Sequence, residues 1–133
     1  MFTQEARNCA ALDTCCSSSV AGKEWLEMYL DALSEDKLGE VRGPLASKSV
    51  FSFGNNGRLP SEGKYFIPAI LAGNKVDIEM DVVKSNIPLL LSKKAMKKVG
   101  MKIDMTDDTV IVFGKKEKLA TTSNGLYAFN RRF

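Results

Sequence analysis

The stretch Leu12-Asp13-Thr14-Cys15-Cys16-Ser17-Ser18-Ser19-Val20 sets a single carboxylate between an apolar segment and a run of small residues. Residues 8–12 predict a short buried strand that ends at Asp13. A carboxylate in that position is costly unless it is hydrogen-bonded, and the neighbouring hydroxyls can supply such bonds. Two interpretations stay open here: the aspartate caps a turn through its own backbone, or it is a functional group.

Two helices are predicted outside this stretch. From Gly22 onward apolar residues recur at helical spacing, which predicts a helix of about three turns. These residues are Trp25, Met28, Tyr29, Ala32 and Leu33. A late helix is predicted after Ser92 as its N-cap and before Gly100 as its stop. Between the helices, residues 39–48 predict a loop because Gly39, Gly43 and Pro44 interrupt any regular pattern.

The remaining segments predict short β-strands. Val50–Phe53 is followed by Gly54-Asn55-Asn56-Gly57, and Asn-Gly is a strong hairpin signal. A strand is predicted over Lys64–Leu71, where Pro68 indicates a sheet edge or a bulge. Residues 76–82 alternate apolar and acidic side chains, which predicts a strand with one solvent-exposed face. Its acidic residues are Asp77, Glu79 and Asp81.

The end of the chain completes a mainly β pattern. Ile87-Pro88-Leu89-Leu90-Leu91 is wholly apolar and predicts a buried segment. Further short strands are predicted at residues 101–104, 109–113, 119–122 and 126–129. The pattern favours a closed or sandwiched antiparallel core, with one helix after the first buried strand and one late helix. The 133 residues, 44% of them hydrophobic, are enough to form a core as one domain without disulfides.

Composition restricts the possible chemistry. The chain has no histidine, which excludes Ser-His and Cys-His catalysis and histidine-ligated metals. The three cysteines, two of them adjacent, argue against a disulfide framework and predict a reduced, intracellular, cytoplasmic protein. No apolar run approaches the roughly 20 residues that cross a bilayer, so no membrane association is expected. The first residues also lack a signal-peptide pattern.

Two charged features have an ordinary explanation. The lysines within residues 93–98 could contact phosphates, but they lie on the outer face of the predicted late helix, where lysines commonly face solvent. The net charge of +3 does not require a nucleic-acid partner. The acidic residues of the strand at 76–82 have the spacing of any half-exposed strand. We therefore expect no metal site, and a solvated helix face explains the lysines better than nucleic-acid binding does.

Residues 12–20 resemble the active-site segment of retroviral-type aspartic proteases, where an apolar run precedes Asp-Thr/Ser-Gly and small residues. Further segments match in the same order. Val50–Gly57 is similar to the Phe-x-Phe-Gly-Asp/Asn segment of protease-like domains in retrotransposon polyproteins. Asp81–Val83 with Ile87–Ser92 is similar to their second-half signature. The resemblance spans nearly the whole chain and implies a single retropepsin-like domain over residues 1–133, a small closed β-barrel-like aspartic protease lobe.

The resemblance implies an aspartic endopeptidase that is active as a homodimer without cofactor or metal. Catalytic Asp13 from each chain would meet at a two-fold axis, share a proton and activate a water against an extended peptide or polyprotein. The active-site loop would be supported by Thr14, Cys15 and Ser17. The flap would be Phe53, Gly54, Asn55, Asn56 and Gly57, and the second-half loop Pro88, Leu89, Leu90 and Leu91. Residues 2–5 and 127–133 would be candidates for an inter-subunit sheet.

The sequence departs from the family pattern at Cys15, where the family usually has glycine. Glycine leaves the backbone unusually free, whereas cysteine adds a Cβ and a thiol beside the aspartate. A second interpretation is therefore the same fold without catalysis, kept as a dimeric peptide-binding or scaffolding module. A third is a basic, β-rich domain that binds nucleic acid through the lysines at 93–98.

Overall fold

The structure is a computed structural model that describes residues 10–13, 16–36, 39–52, 57–122 and 125–129. These residues form twelve strands and two helices. The first half contains β1 (Ala10–Leu12), β2 (Val20–Gly22), α1 (Lys23–Asp36), β3 (Arg42–Leu45), β4 (Val50–Ser52), β5 (Arg58–Pro60) and β6 (Gly63–Leu71). The second half contains β7 (Asn74–Val83), β8 (Leu89–Leu91), α2 (Lys93–Lys98), β9 (Lys102–Asp104), β10 (Thr109–Val112), β11 (Lys115–Thr121) and β12 (Tyr127–Phe129). The predicted mainly β class with two helices is confirmed.

Ten of the strands form one mixed sheet in the order β3-β6-β7-β2-β8-β1-β12-β11-β10-β9. β1 runs parallel to β8, and β2 runs parallel to β7. The other pairs are antiparallel, and the longest is β6 with β7, from Gly63↔Val82 to Leu71↔Asn74. β4 and β5 form a separate two-stranded hairpin. The centre of the sheet is thus built from β1, β2 and β8, which are short strands from distant parts of the chain.

Helix α1 packs its apolar face on the larger of two apolar clusters, which we call the main core and which includes Ile67, Met80, Leu89 and Val110. Trp25 and Tyr29 are buried, their rings stack with centroids 5.0 Å apart, and the Tyr29 hydroxyl donates a 2.7 Å hydrogen bond to the carbonyl of Pro68. Met28, which the helical spacing assigned to the same face, is 39% exposed. The face is therefore narrower than predicted and centred on Trp25, Leu26 and Tyr29.

A smaller apolar cluster lies on the opposite side of the central strands. We call it the hairpin cluster because it includes side chains of both β4 and β5. Its buried members are Ala11, Val20, Phe51, Val83, Ile87, Leu90 and Ala128, and Cys16, Leu59 and Leu126 pack against it. Strand β8 separates this cluster from the main core, since Leu90 belongs to one and its neighbours Leu89 and Leu91 to the other. Burial on both faces explains why β8 is wholly apolar.

Two predictions about strands need correction, and the predicted edge position of Pro68 is confirmed. Residues 42–45 form β3 rather than a loop, because β6 offers these exposed residues an edge to pair with. Tyr127 and Ala128 have no free edge for an inter-subunit sheet, because each pairs with both β1 and β11, while residues 2–5 and 130–133 lie outside the described residues. β6 is an edge strand at Pro68 but not along its whole length, because β3 pairs with β6 only as far as Phe66.

Helix α2 confirms its predicted caps. The Ser92 hydroxyl accepts a hydrogen bond from the amide of Ala95, and Gly100 ends the turn with a φ of +66°. Neither helix in the described part of the chain combines the length and the apolar character needed to span a membrane.

Candidate active site

Asp13 follows directly on buried strand β1. Its amide donates a 3.0 Å hydrogen bond to the carbonyl of Leu91, and its own carbonyl accepts a 3.1 Å bond from the amide of Cys16. The residue is half-buried, whereas the three residues before it are fully buried. The main chain of Asp13 is thus fixed on both sides, and its carboxylate lies where β1 leaves the core.

The segment that contains Asp13 connects the two strands that pair with β8 on either side. We call residues 13–19 the Asp13 loop. The chain enters this loop from β1, which pairs with β8 in the register Leu12↔Leu91, and leaves it as β2, which pairs with β8 from the other side at Val20↔Leu90. β8 therefore passes between the two strands that flank the loop. This arrangement holds both ends of the loop by main-chain hydrogen bonds, which do not depend on side-chain identity.

Two buried serines tie the end of the Asp13 loop to helix α2. The Ser92 amide donates a 3.0 Å hydrogen bond to the hydroxyl of Ser19, and this hydroxyl donates at 3.3 Å to that of Ser92. The carbonyl of Ser19 accepts a 3.0 Å bond from the amide of Asp81 on β7. Small hydroxyl side chains suit this position because they bond the main chain without adding bulk.

The segment before β8 lies close against β2. The amide of Gly22 donates a 3.1 Å hydrogen bond to the carbonyl of Ile87, and a Cβ on Gly22 would lie 2.1 Å from the carbonyl oxygen of Ser85. Pro88 is buried beside this contact. Leu89–Leu91 is a strand rather than the predicted loop, because β1 and β2 provide pairing partners on both of its edges.

The β4–β5 hairpin covers this site through the hairpin cluster. Its register is Phe51↔Leu59, and both side chains pack in the cluster that contains Ala11 and Leu90. Phe51 is buried although it comes from a two-stranded hairpin outside the main sheet. The hairpin therefore packs against β1, which leads into Asp13, and against β8 beside it.

The structure brings together only part of the predicted site. Asp13, Leu90 and Leu91 are neighbours through β1 and β8, and Ser17 is exposed in the same loop. Gly57 is exposed directly before β5, with a φ of +77° that favours glycine. The other predicted residues, namely Thr14, Cys15, Phe53, Gly54, Asn55 and Asn56, lie outside the described residues.

A cavity of about 130 Å³ lies beside the Asp13 loop. Ser17, Ser18 and Ser19 form one wall, β7 and helix α2 form the others, and the side chains of Lys94 and Lys98 belong to its lining. Asp13 does not line this cavity. The space is thus adjacent to the candidate site and separate from its carboxylate.

The acidic residues of β7 have separate roles that the sequence pattern did not distinguish. Asp77 lies 3.7 Å from the guanidinium of Arg42, and Glu79 lies 3.2 Å from the ammonium of Lys64. Asp81, predicted to face solvent, is only 1% exposed and accepts hydrogen bonds from the hydroxyls of Ser47 and Ser61. Among the described residues no group of three acidic or cysteine side chains is placed to hold a metal ion.

Comparisons with known proteins support the same fold. No family model matches the chain, and no curated protein matches its sequence. Among solved structures, the chain is similar to the crystal structure of the retroviral protease-like domain of Ddi1 from Leishmania major. The TM-score is 0.55 at 14% sequence identity, over 82% of this chain and 77% of that one. The chain therefore has a retropepsin-like fold.

Proposed function

We propose that this chain is an aspartic endopeptidase of the retroviral type, active as a homodimer, with Asp13 as its catalytic residue. The observation that carries the proposal is the position of Asp13: it ends a buried strand, and its main chain is fixed by Leu91 and Cys16. The retropepsin-like fold supports the same assignment. A half-buried carboxylate on a rigid backbone is suited to acid–base chemistry on a bound water.

The chemistry needs a second carboxylate, which we assign to Asp13 of a second copy. Two carboxylates a few ångströms apart cannot both ionise easily, so they share one proton and titrate as a pair. One then accepts a proton from the attacking water while the other donates to the carbonyl oxygen of the scissile peptide. The chain contains no histidine, so the mechanism relies on carboxylates alone.

The remaining site residues follow from this assignment. We assign Thr14, Cys15 and Ser17 to support of the Asp13 loop, and the segment Phe53–Gly57, which lies between β4 and β5 in sequence, to the flap that covers an extended peptide. We assign Pro88–Leu91 to support of the same loop, since Leu89–Leu91 pairs with β1 and the carbonyl of Leu91 accepts a hydrogen bond from the amide of Asp13. We further propose that residues 1–133 form one retropepsin-like domain and that junctions in a polyprotein are among its substrates.

A second candidate function is peptide binding without cleavage. Cys15 is the residue that favours it, since the side chain lies next to Thr14 and Asp13 in sequence, where glycine would leave room for the substrate. Such a protein would still form the dimer and bind an extended peptide, and would lose only the chemical step.

A cleavage assay on a peptide library at mildly acidic pH tests the proposal. We expect the wild type to cleave, a statine-type inhibitor to block cleavage, and Asp13→Asn to lower kcat/KM by about 10²–10⁴-fold or more, the usual contribution of an acid–base group. Glu27→Gln is the matched control, because it also removes one carboxylate charge but at an exposed position on α1. Peptide binding with no turnover would favour the second function, and cleavage that survives Asp13→Asn would contradict the first.

A further inference from the structure

A fully buried carboxylate lies at the base of the β4–β5 hairpin. Asp81 is 1% exposed, and its Oδ1 accepts hydrogen bonds from the hydroxyl of Ser47 at 2.5 Å and from that of Ser61 at 2.8 Å. We call these three residues the Asp81 cluster. Burial of a carboxylate is strongly unfavourable unless polar partners replace the lost water. The residue opposite Asp81 on β6 is Lys64, whose ammonium pairs with Glu79 at 3.2 Å, so serine hydroxyls provide these partners.

The two serines come from the two ends of the hairpin. Ser47 lies just before β4, and Ser61 directly follows β5. The ends are also joined to each other, because the amide of Ser61 donates a 2.9 Å hydrogen bond to the carbonyl of Ser49. The carboxylate therefore accepts one hydrogen bond from the residues before β4 and one from the residue after β5. If the hairpin moves away from the sheet, at least one of these two hydrogen bonds breaks.

The main chain of Asp81 is bonded to the candidate active site. Its amide donates a 3.0 Å hydrogen bond to the carbonyl of Ser19, the last residue of the Asp13 loop. In the register of β2 with β7, Asp81 is paired with Val20, which belongs to the hairpin cluster together with Phe51. One residue thus bonds the Asp13 loop through its backbone and the hairpin through its side chain.

We infer that Asp81 is a positioning residue that fixes the β4–β5 hairpin at a set distance from the Asp13 loop. The position of the hairpin follows from the hydrogen bonds of Asp81, whereas the consequence for peptide binding rests on the proposed function. Loss of either serine hydroxyl removes its bond to Asp81, together with the bond that Ser47 accepts from the amide of Ser49 or the bonds of Ser61 with the main chain of Gly63. It loosens the hairpin while the ten-stranded sheet keeps its pairing. In the protease, a loosened hairpin holds the peptide less well, so KM rises more than kcat falls.

Hydrogen exchange of backbone amides tests the inference without any need for activity. We expect Ser47→Ala and Ser61→Ala to speed exchange of the amides in residues 50–52 and 58–61 by about 10-fold to 100-fold. This is the effect expected when a hydrogen bond to a charged group is lost. Amides of the β6–β7 pair serve as the internal reference for global unfolding. Asp81→Asn keeps an oxygen that can accept the hydroxyls but removes the charge that strengthens both bonds, so we expect its hairpin to exchange faster than the wild type and more slowly than either serine variant.

Ser49→Ala is the matched control from the same segment. It removes a hydroxyl but keeps the carbonyl that bonds Ser61, so hairpin exchange should stay at the wild-type rate. Equal acceleration of hairpin and sheet amides in both cluster variants, or no acceleration in either, would overturn the inference. In an active protein the same two variants should raise KM about tenfold. An inactive wild type overturns the proposed function alone, since the exchange result stands independently.

Discussion

At the scale of single residues, Gly22 shows how closely the strands around Asp13 are packed. A Cβ at this position would lie 2.1 Å from the carbonyl oxygen of Ser85 and 2.8 Å from the amide nitrogen and carbonyl oxygen of Ile87. These are main-chain atoms, which cannot rotate away as a flexible side chain does. We expect Gly22→Ala to lower the free energy of unfolding by about 3 kcal/mol, the upper end of the usual cost of overpacking. Urea denaturation monitored by the fluorescence of Trp25 measures it.

Gly114→Ala provides the comparison for the Gly22 substitution. Gly114 has a φ of +75°, and an added Cβ would meet nothing within 4 Å, so alanine there costs only backbone strain of about 1 kcal/mol. If Gly22→Ala proves no more destabilising than Gly114→Ala, the close approach of the Ile87 segment to β2 is wrong.

The sequence identifies Asp13 as a candidate and misses Asp81, for a physical reason. Asp13 has its signal in its immediate neighbours, an apolar run on one side and small residues on the other. Asp81 lies on a strand whose alternation predicts exposure. Its partners Ser47 and Ser61 are 34 and 20 residues away in the chain, so only the folded hairpin brings them to the carboxylate. Local patterns cannot report a burial that is created by a distant segment.

At the scale of elements, predictions succeed where periodicity is strong. Helix α1, helix α2 and the long pair β6–β7 lie within a few residues of their predicted positions. β3 and β5 have no such signal: Arg42–Leu45 is exposed at every residue, and Arg58–Pro60 ends in proline. These strands form because a neighbouring strand offers hydrogen-bonding groups, which is a tertiary effect.

The β9–β10 hairpin yields a prediction about pH. The hydroxyl and the amide of Thr106 both donate to Asp104 and hold the pKa of this exposed carboxyl below its ordinary value of 3.8. A pKa lowered by folding stabilises the native state above the unfolded pKa, and that contribution is lost as the pH falls through the lower folded value. We expect NMR titration of the Asp104 carboxyl to give a pKa below 3.8, and Thr106→Val to move it upward.

Thr109→Val is the control for the Asp104 titration. The Thr109 hydroxyl donates at 2.6 Å to Asp107, and this bond lowers the pKa of Asp107. The Thr109 variant should therefore shift Asp107 upward and change Asp104 little. An Asp104 pKa that Thr106→Val leaves in place would show that the turn does not hold its carboxylate as described.

At the scale of the whole molecule, the candidate site is assembled from segments that are far apart in the chain. β1, β2 and β8 supply a rigid base for the Asp13 loop, and the β4–β5 hairpin is joined to it by the hairpin cluster and the Asp81 cluster. The base belongs to the ten-stranded sheet, whereas the hairpin is a sheet of its own. A base held within the ten-stranded sheet and a separately attached hairpin fit the protease we propose, which must admit and enclose an extended chain.

The homodimer we propose makes a prediction about stoichiometry. A site on a two-fold axis contains one Asp13 from each chain, so a statine-type peptide should saturate at one molecule per two chains in calorimetry. Because the peptide binds only the folded dimer, it should raise the thermal midpoint, with about 2.7 kcal/mol of stabilisation at a free concentration 100 times its Kd. Asp13→Asn should weaken this binding, since the proposed mechanism places the inhibitor hydroxyl between the two carboxylates. One peptide per chain, with a monomer mass in sedimentation, would mean that a single Asp13 forms the whole site, and the shared-proton mechanism would then fail.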